Sequence, residues 1–116
     1  MLISPYIRRR QIVPRRIVHA ERLTPGSLLV KITGKQKLGV NSTHHQAVAR
    51  VAGPLHAVAV SSDGIVEGME LWPAAARMLP FLLSVQFHPE RLVDRYPEHQ
   101  AIFRGFTRAC ALNWKE

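Results

Sequence analysis

Leu82-Leu83-Ser84-Val85-Gln86-Phe87-His88-Pro89-Glu90 is an apolar run that ends abruptly in a histidine, a proline and a carboxylate. The short run from Phe81 to Phe87 predicts a strand buried on both faces. Pro89 forces His88 into an extended backbone. Residues two apart on an extended chain point to the same side, so His88 and Glu90 project together from the strand's carboxyl end. In open α/β sheets that edge is where ligands bind. A carboxylate beside an imidazole fixes its tautomer, as a general base requires. A strand-end histidine capped by a surface glutamate would present the same three residues.

Immediately upstream, Leu55 to Val60 is a strongly apolar strand and Ser61-Ser62-Asp63-Gly64 has hairpin-turn chemistry. Ile65 to Leu71 is the return strand. Its alternation places Ile65, Glu67, Met69 and Leu71 on one face and Val66, Gly68 and Glu70 on the other. Burying glutamates on both faces would be costly, so the hairpin is expected to keep one wet side. Trp72-Pro73 ends it, and Ala74 to Leu79 makes a short, helix-compatible connection. Downstream of Glu90, Arg91 to Pro97 is a polar loop, and Glu98 to Trp114 predicts the clearest helix. Ile102, Phe103, Phe106, Cys110 and Trp114 form its apolar stripe. A thiol inside that stripe is expected to be packed and inert rather than nucleophilic.

Further toward the N-terminus the signals weaken. Residues 1–16 are arginine-rich and proline-punctuated, and read as an extended basic arm. Ile17 to Ala20 suggests a short strand, and Thr24-Pro25-Gly26-Ser27 a turn. Leu28 to Ile32 alternates enough to predict a strand stopped by Gly34. Lys35-Gln36-Lys37 leads into Leu38-Gly39-Val40. In Asn41-Ser42-Thr43-His44-His45-Gln46-Ala47-Val48, Ser42 or Thr43 could cap a helix, with both histidines in its first turn. A polar surface turn accounts for the pair equally well.

The 116 residues bound a single domain. No apolar stretch approaches the roughly 20 residues of a membrane span. One cysteine excludes an internal disulfide framework and fits a reducing, cytoplasmic compartment. The net charge of +8 is concentrated in residues 1–37, where nine Lys/Arg face Glu21 alone; residues 38–116 hold seven of each sign. The basic end lacks interleaved aromatics beyond Tyr6, so nucleic acid is not the expected partner.

A histidine–carboxylate pair needs a nucleophile to complete a hydrolase. No Gly-x-Ser-x-Gly or Gly-x-Cys-x-Gly elbow occurs. His44, His45, His88 and Glu90 are ligand types that suit zinc, but they lack a familiar ligand spacing, so no metal and no cofactor is expected.

Three ordered blocks carry a resemblance: Val40-Asn41-Ser42-Thr43-His44-His45-Gln46, Ala59-Val60-Ser61-Ser62-Asp63-Gly64-Ile65-Val66-Glu67, and Val85-Gln86-Phe87-His88-Pro89-Glu90. Together with His19-Ala20-Glu21-Arg22-Leu23-Thr24-Pro25-Gly26-Ser27-Leu28, they resemble the C-terminal half of the class I glutamine amidotransferase-like hydrolases. The nearest branch is the γ-glutamyl-γ-aminobutyrate hydrolase group, peptidase family C26. The likeness spans residues 17–116.

The resemblance implies an α/β fold, the C-terminal part of a flavodoxin-like three-layer sandwich, with a β-hairpin and a C-terminal helix. It also implies a Cys-His-Glu triad in which His88 is the general base and Glu90 its orienter. His44, His45 and Gln46 would flank the substrate's glutamyl moiety. The family's cysteine lies upstream of the matching region, so the nucleophile-bearing half is expected to be absent and the chain alone inactive. The substrate class is a γ-glutamyl amide. Three readings remain at this level: a fragment of such an enzyme, a non-catalytic binding module using the retained pocket and basic arm, or a subunit complemented by a separately encoded N-terminal half; the partner expected is that half or a second copy in a homo-oligomer.

Overall fold

The computed structural model describes residues 14–41, 48 and 50–113. In chain order these form β1 (His19–Leu23), α1 (Leu28–Thr33), β2 (Lys37–Val40), β3 (Leu55–Val60), β4 (Val66–Leu71), β5 (Leu83–Val85) and α2 (Pro97–Leu112). Single 3₁₀ turns cover Pro73–Ala75 and Pro89–Arg91. The strands make one sheet in the order β2-β1-β3-β4-β5, with every neighbouring pair antiparallel. The mixed α/β architecture with a hairpin and a C-terminal helix fits part of a flavodoxin-like fold, as the resemblance implies.

Period-two patterning decides which sheet face is covered. On β1, Glu21 and Leu23 are buried while Ala20 and Arg22 are exposed. Leu38 and Val40 continue the buried row on β2, where Leu38 lies opposite Glu21 and Val40 opposite His19. Leu29 of α1, Ala59, Phe87 and Ile102 of α2 complete the core with Leu23, Leu38 and Val40. The two helices pack together at Gly105, where an added Cβ would lie 2.9 Å from Ile32 Cδ1. His99, fully buried, donates from Nε2 to the Gly39 carbonyl at 2.7 Å and so ties α2 to β2.

The β3–β4 hairpin turns where the sequence predicts. The Ser61 N–H donates to the Ile65 carbonyl at 3.0 Å, and Gly64 takes φ 84°, a conformation that favours glycine.

Four expectations are corrected. Leu28 to Thr33 is helix α1, not a strand. Val30 and Ile32 favour strand by a few tenths of a kcal/mol each, roughly. Capping outweighs that preference: Ser27 Oγ accepts from the Val30 N–H, and the Glu70 carboxylate accepts from the Leu28 and Leu29 N–H groups at 2.8 Å each. Bonds of this charge-assisted kind contribute about 1.5–3 kcal/mol apiece. Gly34, at φ 70°, closes the helix by donating to the Val30 carbonyl.

The run from Phe81 to Phe87 is not a strand buried on both faces. Only Leu83–Val85 forms a strand, on the sheet edge against β4, and Ser84 is exposed. The hairpin also buries both glutamates, Glu67 at 2% exposure and Glu70 at 6%. Register shifts at Ala57/Ala59 and Ala59/Val60 break strict alternation. That irregularity allows residues three apart to serve one covered face: Glu70 reaches α1, and Glu67 reaches the inward groups of β1.

Finally, Cys110 is exposed rather than packed. Ile102 is buried, but Phe103 and Phe106 are 42% and 56% exposed. The stripe is real, yet six-residue α1 spans about 9 Å against about 24 Å for α2 at roughly 1.5 Å per residue. It cannot cover the later turns. Trp114 and residues 1–13 of the basic arm lie outside the described residues.

Candidate active site

After β5 the Gln86 N–H still pairs with the Glu67 carbonyl at 2.8 Å, and Phe87 plugs the core edge-on to His99, ring centroids 5.6 Å apart. The buried ring anchors the chain one residue before His88. His88 stands at φ −117° and ψ 80°, kept out of the helical region by the proline that follows but short of the fully extended backbone expected. Buried Pro89 then opens the 3₁₀ turn that swings Glu90 back toward the imidazole. The pair therefore meets through a turn, not by projecting from a continuous strand. His88 Nδ1 lies 2.7 Å from Glu90 Oε1, with the side chains 42% and 54% exposed.

A carboxylate can only accept, so this contact places a hydrogen on Nδ1. The neutral ring then keeps its Nε2 lone pair for a proton from elsewhere. That is the arrangement of a general base oriented by a carboxylate.

Asn41 supplies what the sequence reading missed. It is fully buried at the end of β2. Its Oδ1 accepts from the His88 N–H at 2.9 Å, and its Nδ2 donates to the His88 carbonyl at 3.0 Å and the Pro14 carbonyl at 2.9 Å. One amide thus grips both backbone polar groups of the histidine, 47 positions away in sequence. Nothing local in Val40-Asn41-Ser42 signals this; only the position of β2 relative to β5 does. His44, His45 and Gln46 lie outside the described residues, three to five positions after that clamp.

Glu90 also stands at the rim of an open groove of about 470 Å³ lined by Val93, Gln100, Phe103 and Arg104. Cys110 is seven residues beyond Phe103, about 10 Å further along the helix axis at roughly 1.5 Å per residue.

A second histidine–carboxylate group sits on the covered face of β1 and β4. His19 Nε2 is 2.5 Å from Glu21 Oε1 and 4.0 Å from Glu67 Oε2. Burial first, and then the neighbouring Glu67 charge, push the Glu21 carboxyl up to about 8. His19-x-Glu21 on a strand could have been paired from sequence; Glu67 could not, because the bulged register delivers it.

The family model described as Peptidase C26 matches residues 4–90, which run through the candidate site to Glu90. The chain is 36% identical over 95 residues to Protein NtpR of Enterococcus hirae, covering 82% of this chain and 38% of that protein. It is 33% identical over 93 residues to the gamma-glutamyl-gamma-aminobutyrate hydrolase PuuD of Escherichia coli K12, covering 79% and 35% respectively. These matches make the chain one of the class I glutamine amidotransferase-like proteins. Within that class, the chain belongs to the peptidase C26 family. It spans little more than a third of the length of these curated relatives. Among the described residues no helix is long and apolar enough to cross a membrane.

Proposed function

We propose that this chain supplies the proton-handling side of a cysteine-dependent γ-glutamyl amide hydrolase. The observation that carries the reading is the 2.7 Å contact between His88 Nδ1 and Glu90 Oε1, with the ring half-exposed. In the reaction, a thiol gives its proton to His88 Nε2 and the thiolate attacks the γ-carbonyl. The imidazolium returns that proton to the leaving amine as the C–N bond breaks, leaving a γ-glutamyl thioester. His88 then takes a proton from water, whose oxygen attacks the thioester carbonyl. Protonation of the departing sulfur restores the thiol. Glu90 holds the Nδ1–H tautomer and faces the charge on the ring while it is protonated.

The thiol of this scheme is not Cys110, which lies on the later turns of α2 beyond the groove. It comes from outside the 116 residues, either in a longer polypeptide or on a partner chain. The exposed Phe103 and Phe106 give such a partner apolar surface to cover. His44, His45 and Gln46, three to five positions after Asn41 in sequence, are the residues that flank the glutamyl group in this scheme. With its thiol kept reduced, the cytoplasm is the fitting compartment.

The test is hydrolysis of γ-glutamyl-γ-aminobutyrate by the chain alone and by the chain joined to the part of the Escherichia coli relative that lies outside their match. Activity only in the joined protein, abolished by His88→Ala, supports the proposal. Activity that survives His88→Ala places the base elsewhere and refutes it.

A further inference from the structure

β1 and β4 bring an imidazole and two buried carboxylates to one point, separate from the His88–Glu90 pair. We propose that His19 Nε2, Glu21 and Glu67 form a binding site for a zinc-class divalent transition-metal ion. One donor atom from each residue lies within 4.8 Å of the other two. Glu21 is 0% exposed and Glu67 is 2% exposed. Glu21 Oε1 meets His19, and the Glu21 carboxyl also hydrogen-bonds Glu67, so three potential ligand groups already converge here. The cation that the described residues offer Glu21 is that same imidazole, one-third exposed and charged only when protonated. A dication here would face both buried carboxyl groups and the ring at once, and its binding would release the proton that the ligands otherwise hold.

The donor set selects the ion. Calcium and magnesium take oxygen ligands almost throughout, whereas one imidazole nitrogen with two carboxylate oxygens suits zinc and its neighbours. Zinc bonds of about 2.0–2.2 Å put tetrahedral ligands about 3.3 Å apart. The 2.5 Å His19–Glu21 contact would therefore open by about 0.8 Å, and the 4.0 Å His19–Glu67 contact would close by about 0.7 Å. The half-free His19 side chain can absorb both changes by rotation. Its exposed side is the entry path and leaves the fourth position to water. Asp63, in the hairpin turn, lies close enough to act electrostatically on both Glu21 and His19, adding negative field at the mouth. An ion here would fasten the hairpin to β1, one strand pair from Asn41, since His19 lies opposite Val40.

The experiment titrates zinc into the full chain after chelator treatment, reading stoichiometry by elemental analysis and affinity by calorimetry. Cobalt substitution reports coordination through its visible absorption. The account expects one zinc per chain and a tetrahedral cobalt spectrum. Affinity should fall at least roughly 10- to 100-fold in both Glu21→Gln and His19→Asn, the range that even outer-shell losses produce. It should be unchanged in His88→Ala. Circular dichroism establishes that each variant is folded; if Glu21→Gln is not, His19→Asn, at a part-exposed position, decides. No stoichiometric binding, or binding that persists in the folded variants, or binding lost with His88, overturns the proposal.

Discussion

Replacing Asn41 tests whether one side-chain amide holds the candidate base in place. Asn41→Ala deletes three hydrogen bonds of 2.9–3.0 Å and strands the His88 N–H and two carbonyls. Each bond contributes a net ~0.5–1.5 kcal/mol, and a stranded buried group costs ~1–3 kcal/mol. Water can reach the partly exposed His88 end, so the sum is about 3 kcal/mol rather than the arithmetic maximum. With an m-value of about 2 kcal/mol/M, the urea midpoint should fall by about 1.5 M. Asn41→Asp is the sharper variant. It keeps an acceptor for the His88 N–H but turns a carboxylate oxygen toward two carbonyls, so it should be at least as damaging despite its near-identical shape. The imidazole ¹⁵N shifts of His88 provide the functional readout: release of the backbone should lower the Nδ1–H tautomer fraction. A loss below about 0.5 kcal/mol with an unchanged tautomer would refute the clamp, because buried polar groups do not lose three partners at so small a cost.

The remaining predictions concern the fold that presents the site. Glu70→Ala removes both carboxylate bonds to the start of α1 and should destabilise by about 3 kcal/mol in urea titration, with Glu70→Gln retaining part of that; equal stability of all three proteins would mean α1 forms without its cap. Burial lowers the His99 imidazole below its ordinary value of 6.5, so its contribution to stability is present above that pH and lost as pH falls below it. Glu21, pushed up to about 8, acts in the opposite sense, its contribution being lost as pH rises from 4.5 toward 8. Comparing urea midpoints of the wild type and His99→Gln from pH 8 to pH 5 isolates the histidine: the variant keeps a donor for Gly39 and should show a shallower acid decline, whereas parallel curves would assign that decline to other groups.

What the sequence disclosed was local. The Asp63-Gly64 turn, the apolar run Leu55–Val60, and the long periodic helix begun at Pro97 each declare themselves within a dozen residues, and each is present. The His88-Pro89-Glu90 contact was legible for the same reason, although the 3₁₀ turn rather than strand geometry makes it. The misreadings all concern partners distant in sequence. Leu28–Thr33 looks like a strand until Glu70, 41 to 42 positions on, caps it. Glu67 and Glu70 look like opposite-face residues until the bulged register turns both inward. Cys110 looks buried because periodicity shows which face is apolar and not whether anything is long enough to cover it. Asn41 was invisible as a clamp because its role exists only once β2 and the end of β5 are neighbours.

The central claim is that His88, oriented by Glu90, moves the protons of γ-glutamyl transfer to a thiol supplied from elsewhere. The most direct measurement is the pre-steady-state burst of γ-aminobutyrate from γ-glutamyl-γ-aminobutyrate, using this chain joined to the part of the Escherichia coli relative that lies outside their match. The account predicts a burst in the joined protein, a slower one in Glu90→Gln, and none in His88→Ala. A burst of undiminished rate in His88→Ala would contradict it.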